Sequence, residues 1–423
     1  MRTTPRTSRA ERGLAGQSAS TVSVVMPVFN GARYVGAAIE SVLRQSLPDW
    51  ELTVIDDGST DGTLDAVRAY ADDSRIRVLC QENSGVASAR NRGVSVAASA
   101  LVAFLDADDL WTVNHLDSMV ARMRVTRNAV LAFGSWQYID EHGTPMPQVV
   151  VPFGADPERA RQELHWRNAV LPSTVVVRTA AIRRVGGFDT AFQACADWDL
   201  WIRLLREGPF VALTQVSTFY RAHAASMTED GDRIERERLR VNEKHHGVAS
   251  GPAATWPGHR RQAVGHTLFS AGLACLRARD VVRGVGKIRQ ALEVWPELVE
   301  QDEFHFELAC AYQPRGFRGT GLGGLDVQQT AELVRSLQPL PGGRASRARA
   351  AFALAWMALV AHDRRTARRH ALEALRAPGL HRKASALVLL VRSALPYPVS
   401  QRLASWRQLR GAKRTRRSGL VGN

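Results

Sequence analysis

The sequence predicts an α/β domain in its first half, followed by an all-α second half. In the first half, short β-branched segments alternate with amphipathic helical segments across short connections, a pattern typical of a parallel sheet covered by helices. Polar and acidic clusters follow several of the strand-like segments. Because ligands of such sheets bind beyond the carboxyl ends of the strands, these clusters indicate a nucleotide site at that edge.

The predicted elements follow one another in order along the first half. We expect strands at 22–27, 50–55, 76–79, 101–105 and 173–178, and helices at 34–45, from 63, at 87–97 and around 197–205. The helix at 34–45 places five apolar residues on one face, as a helix that covers a sheet requires: Val35, Ala38, Ile39, Val42 and Leu43. The polar clusters at 29–30, 56–57, 83–85 and 106–109 all fall at or near strand ends.

Charge separates two physically different halves. Residues 256–423 carry 28 Lys and Arg against 11 Asp and Glu, a net charge of +17, whereas residues 1–255 carry −2. A basic half suits an anionic membrane surface or an acidic protein partner. No recognised nucleic-acid-binding module accompanies the charge, so we expect no nucleic-acid partner.

Length and composition narrow the class of protein further. A chain of 423 residues is long enough for two or three domains. No apolar run approaches the ~20 residues that span a bilayer, and four scattered cysteines give no disulfide framework. We therefore expect a cytoplasmic protein, with peripheral contact at the inner face of the membrane as a further option.

The acidic run Asp106-Ala107-Asp108-Asp109 follows an apolar strand directly. Carboxylates at the end of a rigid strand are hard oxygen ligands that suit Mg²⁺ or Mn²⁺ together with a substrate's phosphates. The alternative is a solvated acidic turn that caps the next helix. The run by itself leaves both interpretations open.

Four motifs in register resemble the family 2 glycosyltransferases, which have the GT-A fold. They lie at 24–30, 56–63, 83–91 and 106–109, and their order and separation match over roughly residues 20–230. Any one of these short strings would be weak evidence, but four in register are specific. The resemblance implies a GT-A type Rossmann-like mixed sheet flanked by helices.

The same resemblance implies a nucleoside-diphosphate sugar donor and Mn²⁺ or Mg²⁺ as cofactor. The donor-binding residues that it implies are Pro27, Phe29, Asn30, Asp57, Arg90 and Asp106. Of these, Asp57 would accept a hydrogen bond from the base, which fits the N–H of uracil, and Arg90 would lie near the diphosphate. Asp108 would be the main metal ligand. In the turn after the second strand, Ser59 and Asp61 are expected to have structural roles.

Two further residues are candidates in the later part of the α/β domain. Asp197 begins an amphipathic helix, and its spacing favours an N-cap; the resemblance instead implies the catalytic base. The family commonly has a Glu-Asp pair here, and Ala196 stands in place of the Glu. His223 lies in a Tyr-Arg-x-His segment and would reach the metal or the diphosphate, although a lone histidine is usually structural.

The resemblance implies an inverting glycosyltransferase that moves a sugar, with UDP as the expected nucleotide, to a hydroxyl of a glycan, lipid-linked or other acceptor, as in cell-surface polysaccharide synthesis. One alternative is a catalytically weak nucleotide-sugar-binding scaffold that recruits partners through its helical half. Another is a nucleotidyltransferase, but the turn at 28–33 lacks the Gly-rich basic loop that such an enzyme needs.

We predict five segments along the chain. They are a disordered leader at 1–20, a GT-A catalytic domain at 21–244, a linker at 245–260, a helical domain at 261–400 and a basic tail at 401–423. The helical domain resembles tetratricopeptide repeats in two imperfect units, with an irregular helical bundle as the alternative. The tail could form a basic amphipathic helix at a membrane surface or be a solvated terminus.

Overall fold

The computed structural model describes residues 20–376, except 225, 227–229, 249, 318–326, 338–339, 342 and 361–362. The chain divides into two compact units, Met1–Met227 and Thr228–Asn423. The predicted basic tail, and the predicted leader apart from Ser20, lie outside the described residues. No helix within the described part of the chain is both long enough and apolar enough to cross a bilayer.

Nine strands in the described residues of the first unit form one mixed sheet, in the order β3-β2-β1-β4-β8-β6-β9-β5, with β7 paired to β6. The strands are β1 Val22–Val28, β2 Trp50–Asp56, β3 Ile76–Cys80, β4 Leu101–Phe104, β5 Leu110–Trp111, β6 Leu131–Ile139, β7 Pro145–Val150, β8 Val175–Arg178 and β9 Phe210–Arg221. Strands β1 to β4 pair in parallel, and β8 is antiparallel to both β4 and β6. This confirms the predicted mixed sheet.

Helices of the first unit are α1 Val35–Leu43, α2 Thr63–Arg68, α3 Val86–Val96, α4 His115–Val125, α5 Pro157–Glu163, α6 Thr179–Arg184 and α7 Ala196–Leu204. On the predicted apolar face of α1, Val35, Ala38, Ile39 and Val42 are fully buried, whereas Leu43 is partly buried. This face packs with β1, β2 and α4 in one hydrophobic cluster. Strands β1 and β4 are buried along their whole length, as expected where both faces of a sheet are covered.

The second unit is helical in its described residues. Its helices are α8 Gly231–His246, α9 Gly258–Arg277, α10 Val281–Val294, α11 Asp302–Ala309, α12 Val327–Ser336, α13 Gly343–Val360 and α14 Arg364–Arg376. Helices α9 and α10 pack closely because Gly272 and Gly284 leave room at their contact, and Asp280 caps α10 by accepting from the Arg283 N–H at 3.1 Å. The helical character is confirmed, whereas the repeat identity and the five segment limits stay predictions.

Candidate active site

Five of the predicted site residues follow the carboxyl ends of three adjacent parallel strands, namely Phe29, Asn30, Asp57, Asp106 and Asp108. Strand β1 lies between β2 and β4, and its last residue, Val28, pairs with Asp56 at the end of β2. Phe104 ends β4 and pairs with Val25 of β1. The turns that follow these three strands therefore leave the sheet along one edge, where ligands of parallel sheets bind.

The Asp57 carboxylate is buried and fixes the loop after β3. Its Oδ1 accepts from Gln81 Nε2 at 2.7 Å and from the Ser84 N–H at 3.0 Å, and its Oδ2 accepts from the Gly85 N–H at 2.9 Å. Neighbouring Gly58 has φ +78°, and an added Cβ there would lie 2.8 Å from the Asn83 nitrogen. Asp57 thus holds the loop that leads into α3, and three of its roughly four acceptor positions are occupied.

The turn after β1 contains Phe29 and Asn30. Asn30 has a left-handed backbone (φ +49°), its Oδ1 accepts from the Thr60 N–H at 2.8 Å, and its own N–H donates to Ser59 Oγ at 2.9 Å. Its side chain therefore joins the turns after β1 and β2. Pro27 is buried within β1, whereas Phe29 is 50% exposed. Among these three predicted nucleotide contacts, Phe29 offers the open aromatic surface.

The turn after β2 contains a residue whose predicted role was structural. Asp61 Oδ1 accepts from the Thr63 N–H at 2.9 Å, at the first residue of α2. Hydrogen bonding from Thr63, through its side chain and its backbone, lowers the pKa of Asp61. Asp61 therefore stabilises the start of α2.

Arg90 and Asp106, two of the predicted donor-binding residues, form an ion pair. Arg90 Nη2 lies 2.6 Å from Asp106 Oδ1, and the guanidinium is buried over the Phe188 ring at 5.4 Å from its centroid. Arg90 Nε is buried and has no hydrogen-bond partner among the described residues. The pair joins α3 to the acidic loop after β4, and Asp106 stays partly exposed.

Asp108 and His223, the two predicted metal ligands, are in direct contact. Asp108 Oδ2 lies 2.9 Å from His223 Nε2. The Tyr34 ring packs against the imidazole with centroids 5.2 Å apart, and the Arg221 guanidinium lies 4.7 Å from the centroid of the same Tyr34 ring. The Asp108 side chain is 35% exposed, so its carboxylate is accessible from solvent.

The donors at this position fit a divalent cation. A carboxylate oxygen suits Mg²⁺, and a carboxylate with an imidazole nitrogen suits Mn²⁺. Across the described ranges, no group of three or more His, Cys, Asp or Glu side chains is arranged to hold a metal. A cation at Asp108 and His223 would therefore take its other ligands from phosphate oxygens and water, as Mg²⁺ usually does.

Asp109 is structural and buried. Its Oδ2 accepts from Ser173 Oγ at 2.6 Å and its Oδ1 from the Arg221 N–H at 3.0 Å. Burial, together with the charges of Asp108 and Asp106, raises the pKa of Asp109 well above its usual value. The acidic run does not cap the next helix, because β5 follows Asp109 directly and the N-cap of α4 is Asn114.

Asp197 lies in the first turn of α7, and the charges of Arg90 and Asp106 act on its carboxyl group. Its Oδ2 accepts from Asn168 Nδ2 at 3.0 Å, and its Oδ1 from the Trp198 N–H at 2.7 Å. Desolvation raises the pKa of Asp197 to about 6, against the opposing effects of Arg90 and the two hydrogen bonds. The N-cap alternative for Asp197 is wrong, because Cys195 occupies the N-cap position.

Sequence reasoning missed several residues that support these groups. Asn168 bonds Asp197, Ser173 bonds Asp109, and Arg221 Nε donates to the Asp108 carbonyl at 2.7 Å. Arg221 lies in the Tyr-Arg-x-His segment, which was a usable signal. No sequence motif marked Asn168.

Comparison with known proteins identifies the family. The model of glycosyl transferase family 2 matches residues 23–190. The putative teichuronic acid biosynthesis glycosyltransferase TuaG of Bacillus subtilis is 33% identical over 192 residues, which cover 44% of this chain and 73% of TuaG. The chain belongs to glycosyl transferase family 2.

A second relative and a solved structure extend the comparison. The UDP-Glc:α-D-GlcNAc-diphosphoundecaprenol β-1,3-glucosyltransferase WfgD of Escherichia coli is 30% identical over 212 residues, which cover 49% of this chain and 80% of WfgD. The crystal structure of S. aureus TarS 1–349 in complex with UDP-GlcNAc is 16% identical, with a TM-score of 0.48, and covers 84% of this chain and 91% of that one.

Proposed function

We propose that the protein is an inverting glycosyltransferase that moves a sugar from a UDP-sugar to a hydroxyl of a glycan or lipid-linked acceptor in cell-surface polysaccharide synthesis. Family membership supports sugar transfer. The names of the relatives support the finer terms, since WfgD is named for a UDP-Glc donor and a diphosphoundecaprenol-linked acceptor, and TuaG for teichuronic acid biosynthesis. The observation that carries the proposal is the Asp197 carboxyl beside the Arg90–Asp106 pair.

Donor binding is proposed for the edge formed by the turns after β1, β2 and β4. The exposed Phe29 ring provides a face on which a base stacks. The remaining acceptor position of Asp57 suits a base N–H. Arg90, whose Nε–H has no partner in the described part of the chain, carries the positive charge that a diphosphate requires, and Asp106 accepts hydrogen bonds from a ribose or sugar hydroxyl.

Asp197 is proposed as the general base. A carboxyl group with a pKa of about 6 is ionised in about a tenfold excess at pH 7, yet binds a proton far better than an ordinary aspartate. It accepts the proton of the acceptor hydroxyl while that oxygen bonds to the anomeric carbon. The bond from this carbon to the diphosphate oxygen breaks, and its electron pair leaves with UDP. A single displacement of this kind inverts the anomeric configuration.

Asp108 and His223 are proposed to hold Mn²⁺ or Mg²⁺ against the diphosphate. Such a cation, when bound, offsets the negative charge that develops on the leaving group. Arg221 supports this position because it binds the Asp108 carbonyl and packs beside Tyr34, which in turn contacts His223. The hydrogen bond from Ser173 to Asp109 holds the same loop in place.

The base assignment predicts that Asp197→Asn lowers kcat by about 100- to 10,000-fold, because the amide cannot accept the proton. Donor affinity should change less than threefold, since the side chain keeps its shape. Release of UDP from UDP-glucose and calorimetric binding of UDP-glucose measure the two quantities. Asp72→Asn, on an exposed aspartate, is the control and should match the wild type. Normal turnover by Asp197→Asn would contradict the base assignment.

The metal assignment predicts that Asp108→Asn weakens binding of UDP-glucose in Mn²⁺ by about 10- to 100-fold. Binding in the presence of a chelator should be equal for the variant and the wild type, because the substitution removes a ligand and little of the nucleotide contact. Calorimetry with Mn²⁺, with Mg²⁺ and with chelator measures all three conditions. The same Mn²⁺ dependence in both proteins would exclude Asp108 as the ligand.

A further inference from the structure

The side-chain amide of Asn168 lies between the Asp197 carboxylate and the backbone of Val170. Its Nδ2 donates to Asp197 Oδ2 at 3.0 Å, and its Oδ1 accepts from the Val170 N–H at 3.0 Å. Asn168 and Asp197 are 29 positions apart in sequence. The contact therefore belongs to the tertiary structure of the site and does not arise from local turn geometry.

The direction of this amide is fixed by its partners. A backbone N–H can only donate, so the Asn168 atom that faces Val170 must be the carbonyl oxygen, and the NH₂ group must face Asp197. A carboxylate accepts such a bond in its ionised form. The adjacent Ala196 side chain has no polar atom, so Asn168 and the Trp198 N–H are the donors that the structure gives to this carboxylate.

The segment that carries Asn168 is bonded to the helix that carries Asp197. Trp198 Nε1 donates to the Leu164 carbonyl at 2.7 Å, and Trp201 Nε1 donates to the Val170 carbonyl at 3.1 Å. Both indoles are completely buried. Buried hydrogen bonds of this kind are costly to break, so they hold the Asn168 amide and the start of α7 at a fixed separation.

We propose that Asn168 is a positioning residue for Asp197. The Asn168 amide holds the Asp197 carboxylate in one rotamer and favours its ionised form. The inference rests on the proposed function of Asp197 as the base. Asn168 does not itself exchange a proton or contact the reacting atoms. Its amide orients the carboxylate at Oδ2, and one further acceptor position on each carboxylate oxygen remains for the acceptor hydroxyl.

The charged groups that face Asp197 set the direction of the pH effect. Desolvation has the largest effect, and it raises the pKa of Asp197. The charge of Arg90 and the hydrogen bond from Asn168 lower this pKa, whereas the charge of Asp106 raises it. Loss of the Asn168 donor should therefore raise the pKa further. A carboxylate in its place should raise it more, because two like charges would share the site.

The decisive variants are Asn168→Asp and Asn168→Ala. Asn168→Asp keeps the shape and the oxygen that accepts from Val170, but replaces the donor with a second carboxylate. We expect the acid limb of the pH profile for UDP release from UDP-glucose, near pH 6 in the wild type, to rise by at least about one pH unit in Asn168→Asp. Asn168→Ala should lower kcat by about 10- to 100-fold, with the KM for donor within about twofold.

Asn114→Ala is the matched control, since Asn114 is exposed at the start of α4 and its side chain makes no cap hydrogen bond. It should reproduce the wild-type profile. A role that is only structural would lower the melting temperature and the active fraction without moving the acid limb. An unmoved acid limb in Asn168→Asp would therefore overturn the inference, whereas full activity of Asp197→Asn would overturn the base assignment as well.

The same coupling can be measured without turnover. Adding Asp197→Asn should raise the melting temperature of Asn168→Asp at pH 8 by more than it raises that of the wild type, because it removes one of two adjacent charges. Equal increments in the two backgrounds would show that the side chains do not interact and would overturn the inference.

Discussion

His115 is buried as a neutral imidazole at the first residue of α4. Its ring stacks on Trp111 at 4.2 Å between centroids, and Nδ1 lies 3.2 Å from the Ser217 carbonyl. Desolvation lowers the pKa of His115 from 6.5 to about 3. In the unfolded chain the group binds a proton near pH 6.5, so it supports the fold above that pH and favours unfolding as the pH falls toward 3.

We predict that His115→Phe reduces the acid sensitivity of the fold. Between pH 7 and pH 5 the wild type should lose about 2 kcal/mol of unfolding free energy through this one group, and the variant should not lose that share. Ser217 keeps a bond from the Thr112 N–H at 3.0 Å, so its carbonyl stays paired. Urea unfolding at the two pH values tests this. An unchanged difference between them would refute it.

At the residue scale, the sequence predicted the candidate ligands Asp108 and His223, which lie in contact, but not the residues that hold the site together. The acidic run and the Tyr-Arg-x-His segment pointed to Asp108 and His223, because each motif is a short contiguous segment of the sequence. Asn168 could not be found in that way, because its role depends on the backbone of Val170 and on the start of α7, 29 positions later. An asparagine in a loop has no distinguishing pattern until both neighbours are in place.

Helix α7 is anchored by Arg203, one of its last residues. Arg203 pairs with the fully buried Asp199, with Nη2 and Oδ2 2.6 Å apart, and donates to the Val185 carbonyl at 2.6 Å and the Gly187 carbonyl at 2.7 Å. Asn91 holds the next residue, Phe188, by accepting from its N–H and donating to its carbonyl. The turn at 185–188 is therefore fixed to both α7 and α3.

We predict that Arg203→Met destabilises the protein by about 3 kcal/mol, because it removes the ion pair of a buried carboxylate. Arg206→Met, at an exposed position three residues later, should change stability by less than about 0.5 kcal/mol. Thermal or urea unfolding compares the two. Similar effects of both substitutions would show that the buried pair is not what stabilises this part of the fold.

The elements of the first half were predictable where the pattern was local. The apolar runs of β1, β2 and β4 and the amphipathic face of α1 each appear within about ten residues. The pairing of β6 with β9 could not be predicted. Leu131 pairs with Phe210, almost eighty positions away, and nothing in the sequence of either strand specifies its partner. The antiparallel pairing of β8 with β4 and β6 could not be predicted for the same reason.

Across the whole molecule, charge is concentrated in one part of the sequence. Residues 256–423 carry a net charge of +17 and the rest carries −2. A lipid-linked acceptor would place the enzyme beside an anionic membrane, to which basic residues are attracted by about 1 kcal/mol each near the surface. The basic tail that contributes to this charge lies outside the described residues.

We predict that the full chain binds vesicles containing phosphatidylglycerol in 0.1 M salt and is released in about 0.5 M salt, because screening weakens exposed charges. Vesicles of phosphatidylcholine alone are the control and should not retain the protein. Sedimentation with vesicles measures both. Equal binding to the two kinds of vesicle, or binding that is unaffected by salt, would contradict an electrostatic contact.

The Asp108–His223 contact joins residues 115 positions apart, whereas β1, β2 and β3 pair with near neighbours in sequence. Closing so long a loop costs entropy that nearby strands do not have to overcome, and chains dominated by such distant pairings fold slowly. During refolding, secondary structure should therefore return before the proposed metal-dependent donor binding. A newly made chain would become competent only once its last strand, β9, had joined the sheet.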